Sequence, residues 1–211
     1  MSQNNRLKTE IAQAIAQRIA LDCCDWQTAR TSVLDDVRRS MDKIPADSMP
    51  SASEIESAVR QCFAIYEPEA HAKVLAHKRL WAKRILERLS TFDMYLTGAV
   101  LNGCANAESN ICFALFTDDV KGVEVALMNA GIDFEVVDAL GGPMPEPVEC
   151  LGFLIRDREN RLTEGIRIDI YESCAKSCNP FKREPDAYQQ PWESSGRANL
   201  AKLLENVHFD D

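Results

Sequence analysis

One stretch constrains the fold more than any other. From Leu96 to Phe116 the chain reads LTGAVLNGCANAESNICFALF. Two apolar runs flank a loop of small residues that contains Gly98 and Gly103. The pattern predicts strand, tight loop, strand. Side chains alternate along a strand, so Ile111, Phe113 and Leu115 share one face of the second run. Asn110, Cys112 and Ala114 share the other.

The rest of the chain divides around this stretch. Before it, apolar residues recur at helical spacing. Leu7, Ile11, Ile15 and Ile19 form one stripe. Asp25 is a candidate cap for a second helix carrying Trp26, Ala29, Val33, Val37 and Met41. Ser51 and Glu54 form a capping-box pattern ahead of Ile55, Val59, Cys62, Phe63 and Tyr66. A basic helix is expected over 71–89, with Lys73, Lys78, Arg79, Lys83, Arg84 and Arg88 on it. After Phe92 the texture becomes that of short strands: 94–98, 111–116, 134–137, and a hairpin of 150–156 with 164–171 turning at Glu159-Asn160. A helix is expected over 120–130, stopped by Gly131. The stretch 140–147 reads as a loop, 179–192 as irregular, and 195–207 as a closing helix with Leu200, Leu203, Leu204 and Val207 packing back. The expected fold class is α+β. A helical N-terminal region, 1–91, precedes a small mixed-sheet domain with flanking helices, 92–211.

In the later strand Ile166, Ile168 and Ile170 share one face, and Arg167, Asp169 and Tyr171 the other. If both isoleucine faces bury, Asn110, Cys112, Arg167 and Asp169 converge on the polar face of one sheet.

Composition narrows the function. At 211 residues with a formal net charge of −9, the chain is poorly suited to broad, sequence-blind nucleic-acid binding. No apolar run approaches the roughly 20 residues of a membrane helix. The eight cysteines are scattered, and no signal-peptide pattern opens the chain, so reduced thiols and a cytoplasmic location are expected. Cys174 and Cys178 have no zinc-spaced partners. No GK[ST] phosphate loop occurs.

The glycine stretch resembles the nucleotidyltransferase superfamily of the DNA polymerase β type. In that family a strand ends in Gly-Ser or Gly-Gly, a short turn carries a second glycine, and the next strand begins Asp-x-Asp. Here Gly98-Ala99 stands at the first pair and Gly103 at the second glycine. Glu108-Ser109-Asn110-Ile111-Cys112 aligns without a gap on the family's Asp-Ser-Asp-Ile-Asp. Asp169 stands for the third carboxylate, from a later strand. The chain is also similar to a bacterial subgroup of about this length with a Tyr-Leu-Thr-Gly lead-in, here Tyr95–Gly98. The resemblance implies nucleotide contacts at Gly98, Ala99, Asn102, Gly103 and Ser109. It implies catalytic positions at Asn110, Cys112 and Asp169, with Mg²⁺ and a nucleoside triphosphate as cofactors.

Three departures weaken that implication. Ala99 has no hydroxyl, Asn110 has lost the charge, and Cys112 is a soft thiol where Mg²⁺ wants anionic oxygen. Each carboxylate–metal pair is worth about 4 kcal/mol at an effective dielectric of 20. Two-metal transfer is therefore expected to be impaired, leaving nucleotide or partner binding, with Mg²⁺ and a nucleoside triphosphate or no cofactor at all both open. Two other readings stand beside this one. In the first, Glu108 and Asp169 hold a single metal and transfer persists. In the second, the chain is a protein-interaction module. The basic helix 71–89 would suit an RNA end or a protein partner.

Overall fold

The computed structural model describes residues 3–41, 43–139, 145–157, 162–182 and 193–199. Three helices come first: α1 (Gln3–Ala20), α2 (Trp26–Ser40) and α3 (Ala52–Tyr66). Local chemistry sets two of their starts. The Asp25 carboxylate accepts the N–H groups of Gln27 and Thr28, both at 3.0 Å. At α3 the Ser51 Oγ accepts from the Glu54 N–H at 3.3 Å, while Glu54 Oε2 accepts from the Ser51 N–H at 2.7 Å. The long helix α4 (Pro68–Arg88) opens with proline in its first turn, where a missing N–H costs nothing.

The sheet half follows as β1 (Asp93–Thr97), α5 (Gly98–Asn102), β2 (Ile111–Phe116), α6 (Val120–Asn129), β3 (Glu135–Val136), β4 (Glu149–Asp157) and β5 (Leu162–Tyr171). A last strand, β6 (Arg197–Ala198), closes the described chain. The sheet order is β3-β4-β5-β2-β1-β6. β2 and β5 pair in parallel and every other neighbour is antiparallel, so the fold is mixed α+β, helices first and sheet second.

Two apolar cores form. One packs α1, α2 and α3 through Ile11, Ile15, Val33, Ile55, Val59 and Phe63. The other packs the isoleucine face of the sheet against Ala82, Ile85 and Leu86 of α4 and Val123 and Leu127 of α6. The six inward residues of β2 and β5 each contribute about 1.5–3 kcal/mol by burial. A one-residue slip of either strand would turn its three inward residues outward, at a cost of roughly 5–9 kcal/mol. That fixes the β2–β5 register.

Three cations of α4, Lys78, Arg79 and Arg88, fasten it to other elements. Lys78 is 1% exposed; its Nζ donates to Glu164 Oε2 at 2.5 Å and to the Ser109 carbonyl at 2.8 Å. Arg79 donates to the carbonyls of Val100 and Leu101 at 3.2 and 3.1 Å. Arg84 lies over the Trp81 ring, and Arg88 donates to the Ala130 carbonyl at 2.6 Å.

The C-terminal expectation needs correction. Ser195 ends a 3-10 turn, and Arg197–Ala198 is a strand on the β1 edge, with Leu96 opposite Ala198 and Thr97 opposite Arg197. The open edge of β1 supplies backbone partners that a helix start would leave unused. Gly196, at φ +71°, breaks helical geometry there. Leu200, Leu203, Leu204 and Val207 lie outside the described residues, as do the 159–160 turn and most of the 140–147 and 179–192 stretches. Gly98, expected to end a strand, instead opens α5 with φ +69°. No helix among the described residues is long and apolar enough to cross a membrane.

The Lys78–Glu164 pair is nearly closed off from water, so removing one partner strands the other. Glu164→Gln is expected to cost about 3 kcal/mol in urea unfolding. A loss below about 1 kcal/mol would show that the pair is not ionised and desolvated as drawn.

Candidate functional site

The parallel ladder places Cys112 beside Arg167 and Ala114 beside Asp169. Paired residues in a sheet share a face, so Cys112, Arg167 and Asp169 lie on the surface opposite the isoleucine core. β1 adds Thr97 and Tyr95 to these rows, β4 adds Cys150 opposite Asp169, and β6 adds Arg197 opposite Thr97. Asn110 sits just before β2, where a Cβ on Gly165 would collide with its Oδ1. A strand glycine at 165 thus lets the amide lie across β5.

Arg167 dominates this face. It is 8% exposed, its Nε donates to Asp169 Oδ1 at 2.7 Å, and its Nη2 donates to the Asp138 carbonyl at 3.0 Å. The carboxylate of Asp169 is therefore already neutralised by a guanidinium. Burial, with Asp169 next, pushes the Cys112 thiol up to about 12, against a smaller opposing effect of Arg167. Cys150 is likewise pushed up to about 12 by burial and by its bond with Asp169. Both are neutral thiols near pH 7. An amide, a protonated thiol and a neutralised carboxylate do not suit Mg²⁺, which wants anionic oxygen. Among the described residues no cluster of three or more His, Cys, Asp or Glu side chains could hold an ion.

A cleft of about 410 Å³ opens beside this face. Ala99, Glu108, Ser109, Asn110 and Cys112 form one wall. The corner between α1 and α2 forms the other, with Cys23, Cys24, Asp25, Trp26 and Gln27. Asn106 ties the walls together: its Nδ2 donates to the carbonyls of Ile19 and Cys24 at 2.9 and 3.3 Å. Ser109 Oγ in turn donates to Asn106 Oδ1 at 2.9 Å and accepts from the Asn106 N–H at 3.0 Å. Glu108 is exposed, and after burial it is the largest influence raising the Cys23 thiol. The described lining carries two carboxylates and neither Lys nor Arg.

The sequence-derived residues thus separate. Ala99, Glu108, Ser109, Asn110 and Cys112 line the cleft, and Gly98 lies against Cys112, whose Cβ is 3.5 Å from where a Gly98 Cβ would be. Asp169 is on the same sheet face but bound to Arg167 and is not part of the cleft lining. Asn102 is turned away and buried, donating to Glu56 Oε1 of α3 at 2.9 Å. Gly103 ends α5 at φ +71° and faces Arg60 and Leu75. The α1–α2 wall was not legible as part of a site. The Trp26 pattern reads as core, and it does pack partly on the helical cluster. Compared with known proteins, the chain matches no family model, and a search of curated proteins finds no significant relative.

A thiol with a pKa of about 12 is ionised to roughly one part in ten thousand at pH 8. Iodoacetamide at pH 8 is expected to label exposed Cys178 and leave Cys112 unmodified in the folded protein, read by peptide mass spectrometry. Labelling of Cys112 within about tenfold of the Cys178 rate would contradict the protonated state.

Proposed function

We propose that the protein is a nucleotidyltransferase-like binding protein that has given up two-metal transfer and takes its ligand without a divalent ion. One observation carries the reading: the Arg167 guanidinium lies 2.7 Å from Asp169 Oδ1, beside Cys112, where the family pattern needs carboxylates free to hold cations. The retained parts are those of a binding cleft: the left-handed glycine at 98, the Asn106–Ser109 hydrogen bonds and an opening of about 410 Å³. Its walls favour the nucleoside portion of a nucleotide. Trp26 offers an aromatic surface, and Gln27, Ser109 and Asn110 offer hydrogen-bonding groups, while Asp25 and Glu108 oppose phosphate. An RNA end or a protein partner on the basic helix has less to support it, because Lys78, Arg79 and Arg88 are committed to internal bonds.

Retained transfer through Glu108 and Asp169 would need the two carboxylates to share an ion. Glu108 faces the α1–α2 wall of the cleft, and Asp169 is held by Arg167. Calorimetry separates the readings. The four nucleosides and the four nucleoside triphosphates are titrated with and without Mg²⁺ or Mn²⁺. Nucleosides are expected to bind about tenfold more tightly than their triphosphates, with metal changing either by less than about twofold. Triphosphate binding that requires metal, with label transferred from an α-labelled nucleotide, would overturn the proposal in favour of a working transferase.

A further inference from the structure

A second cavity lies behind the same loop. Its volume is about 430 Å³, and it shares no described lining residue with the cleft. α4 supplies Lys73, Val74, His77 and Lys78, the loop supplies Ala107, and the start of β5 supplies Leu162 and Glu164. Consecutive loop residues thus face two hollows: Ala107 one, Glu108 and Ser109 the other.

The chemistry of this second hollow differs from that of the cleft. Lys78 is 1% exposed and Glu164 5%, and their contact at 2.5 Å cancels one charge of each sign in the floor. His77 Nε2 stands 3.4 Å from the other oxygen of Glu164. Lys73 remains at the rim, exposed, with no hydrogen-bond or ion-pair partner among the described residues. The described lining therefore keeps a net charge of one cation, in a chain whose formal net charge is −9. A basic hollow on an acidic protein concentrates anions locally, against the sign of the overall field. The remaining walls are apolar: Val74, Ala107 and Leu162, the last 48% exposed. Inorganic phosphate would lose its hydration against those walls without replacement. A monoanion with a hydrocarbon or aromatic flank would match both the single net cation and the apolar surface, and a cavity of this size accepts a small molecule.

We propose that this cavity is a binding site for a small organic carboxylate, its charge toward Lys73 and its apolar part against Val74, Ala107 and Leu162. The inference does not rest on the reading of the cleft. Lys78 joins the two places physically, because the ammonium that floors this site also holds the Ser109 carbonyl of the cleft wall at 2.8 Å.

The test is an amide NMR titration of the full chain with benzoate, benzyl alcohol, benzylamine and inorganic phosphate. Benzoate is expected to saturate, shifting the amides of 73–78, 107 and 162–164. The neutral, cationic and inorganic probes are expected to bind at least about tenfold more weakly. Lys73→Glu and Leu162→Asp change exposed side chains. Each is expected to weaken benzoate by about tenfold or more while leaving the folded spectrum intact. Trp26→Ala, in the cleft, is expected to leave benzoate affinity within about twofold. Benzoate that binds no better than benzyl alcohol or phosphate would overturn the proposal. So would affinity indifferent to Lys73→Glu, shifts centred on the cleft, or no saturation.

Discussion

The parallel pairing of β2 with β5 is the constraint on which the molecule turns. Its inward residues, Ile111, Phe113, Leu115, Ile166, Ile168 and Ile170, are buried to 2% exposure or less, so the register is held by the core. Once the core has fixed that register, the opposite face has no freedom. Cys112 must stand beside Arg167, and Asp169 must stand one row on, beside Ala114. The chemistry of the polar face follows from a packing requirement on the other side of the sheet. With Arg167 in that row and Asp169 two residues away on the same strand, a guanidinium–carboxylate pair forms at 2.7 Å.

The cleft depends on a second set of constraints. The loop between α5 and β2 is anchored from both sides: Asn106 reaches the end of α1, and Lys78 of α4 holds Ser109. Buried polar groups of this kind cost free energy unless each finds a partner. The loop is therefore tied to definite positions on α1 and α4, with a hollow on each side. One hollow carries carboxylates and an indole, the other lysines and aliphatic walls. The two hollows on either side of one loop therefore differ in the sign of their described lining charge.

Much of the fold was legible because its signals are local. The Asp25 cap and the Ser51–Glu54 box are written within four residues, and both form as their side chains dictate. β2 was legible at both ends, because alternation and a bounding glycine loop leave little choice. The two-residue strand β6 was not, since its only reason is a distant edge of β1. Parity placed Cys112, Arg167 and Asp169 on one face, but not the ion pair between the last two. The α1–α2 wall was hidden for a similar reason: Asn106 and Cys24 are 82 positions apart when they bond. Charges on α4 read as one basic helix, whereas the partners of Lys78, Arg79 and Arg88, the Ser109, Val100 and Ala130 carbonyls and Glu164, come from elsewhere in the chain.

The proposed loss of metal binding depends on Arg167, a side-chain cation that already holds Asp169 Oδ1 at 2.7 Å. The most direct test is electron paramagnetic resonance of Mn²⁺ binding to Asn110→Asp/Cys112→Asp, with and without Arg167→Ser, the fold of each variant verified by circular dichroism. The account predicts that the double variant, still carrying its guanidinium, binds Mn²⁺ at least about tenfold more weakly than the triple variant. Equal affinity in the two would mean that Arg167 does not compete for the cation's place, and the central claim would fail.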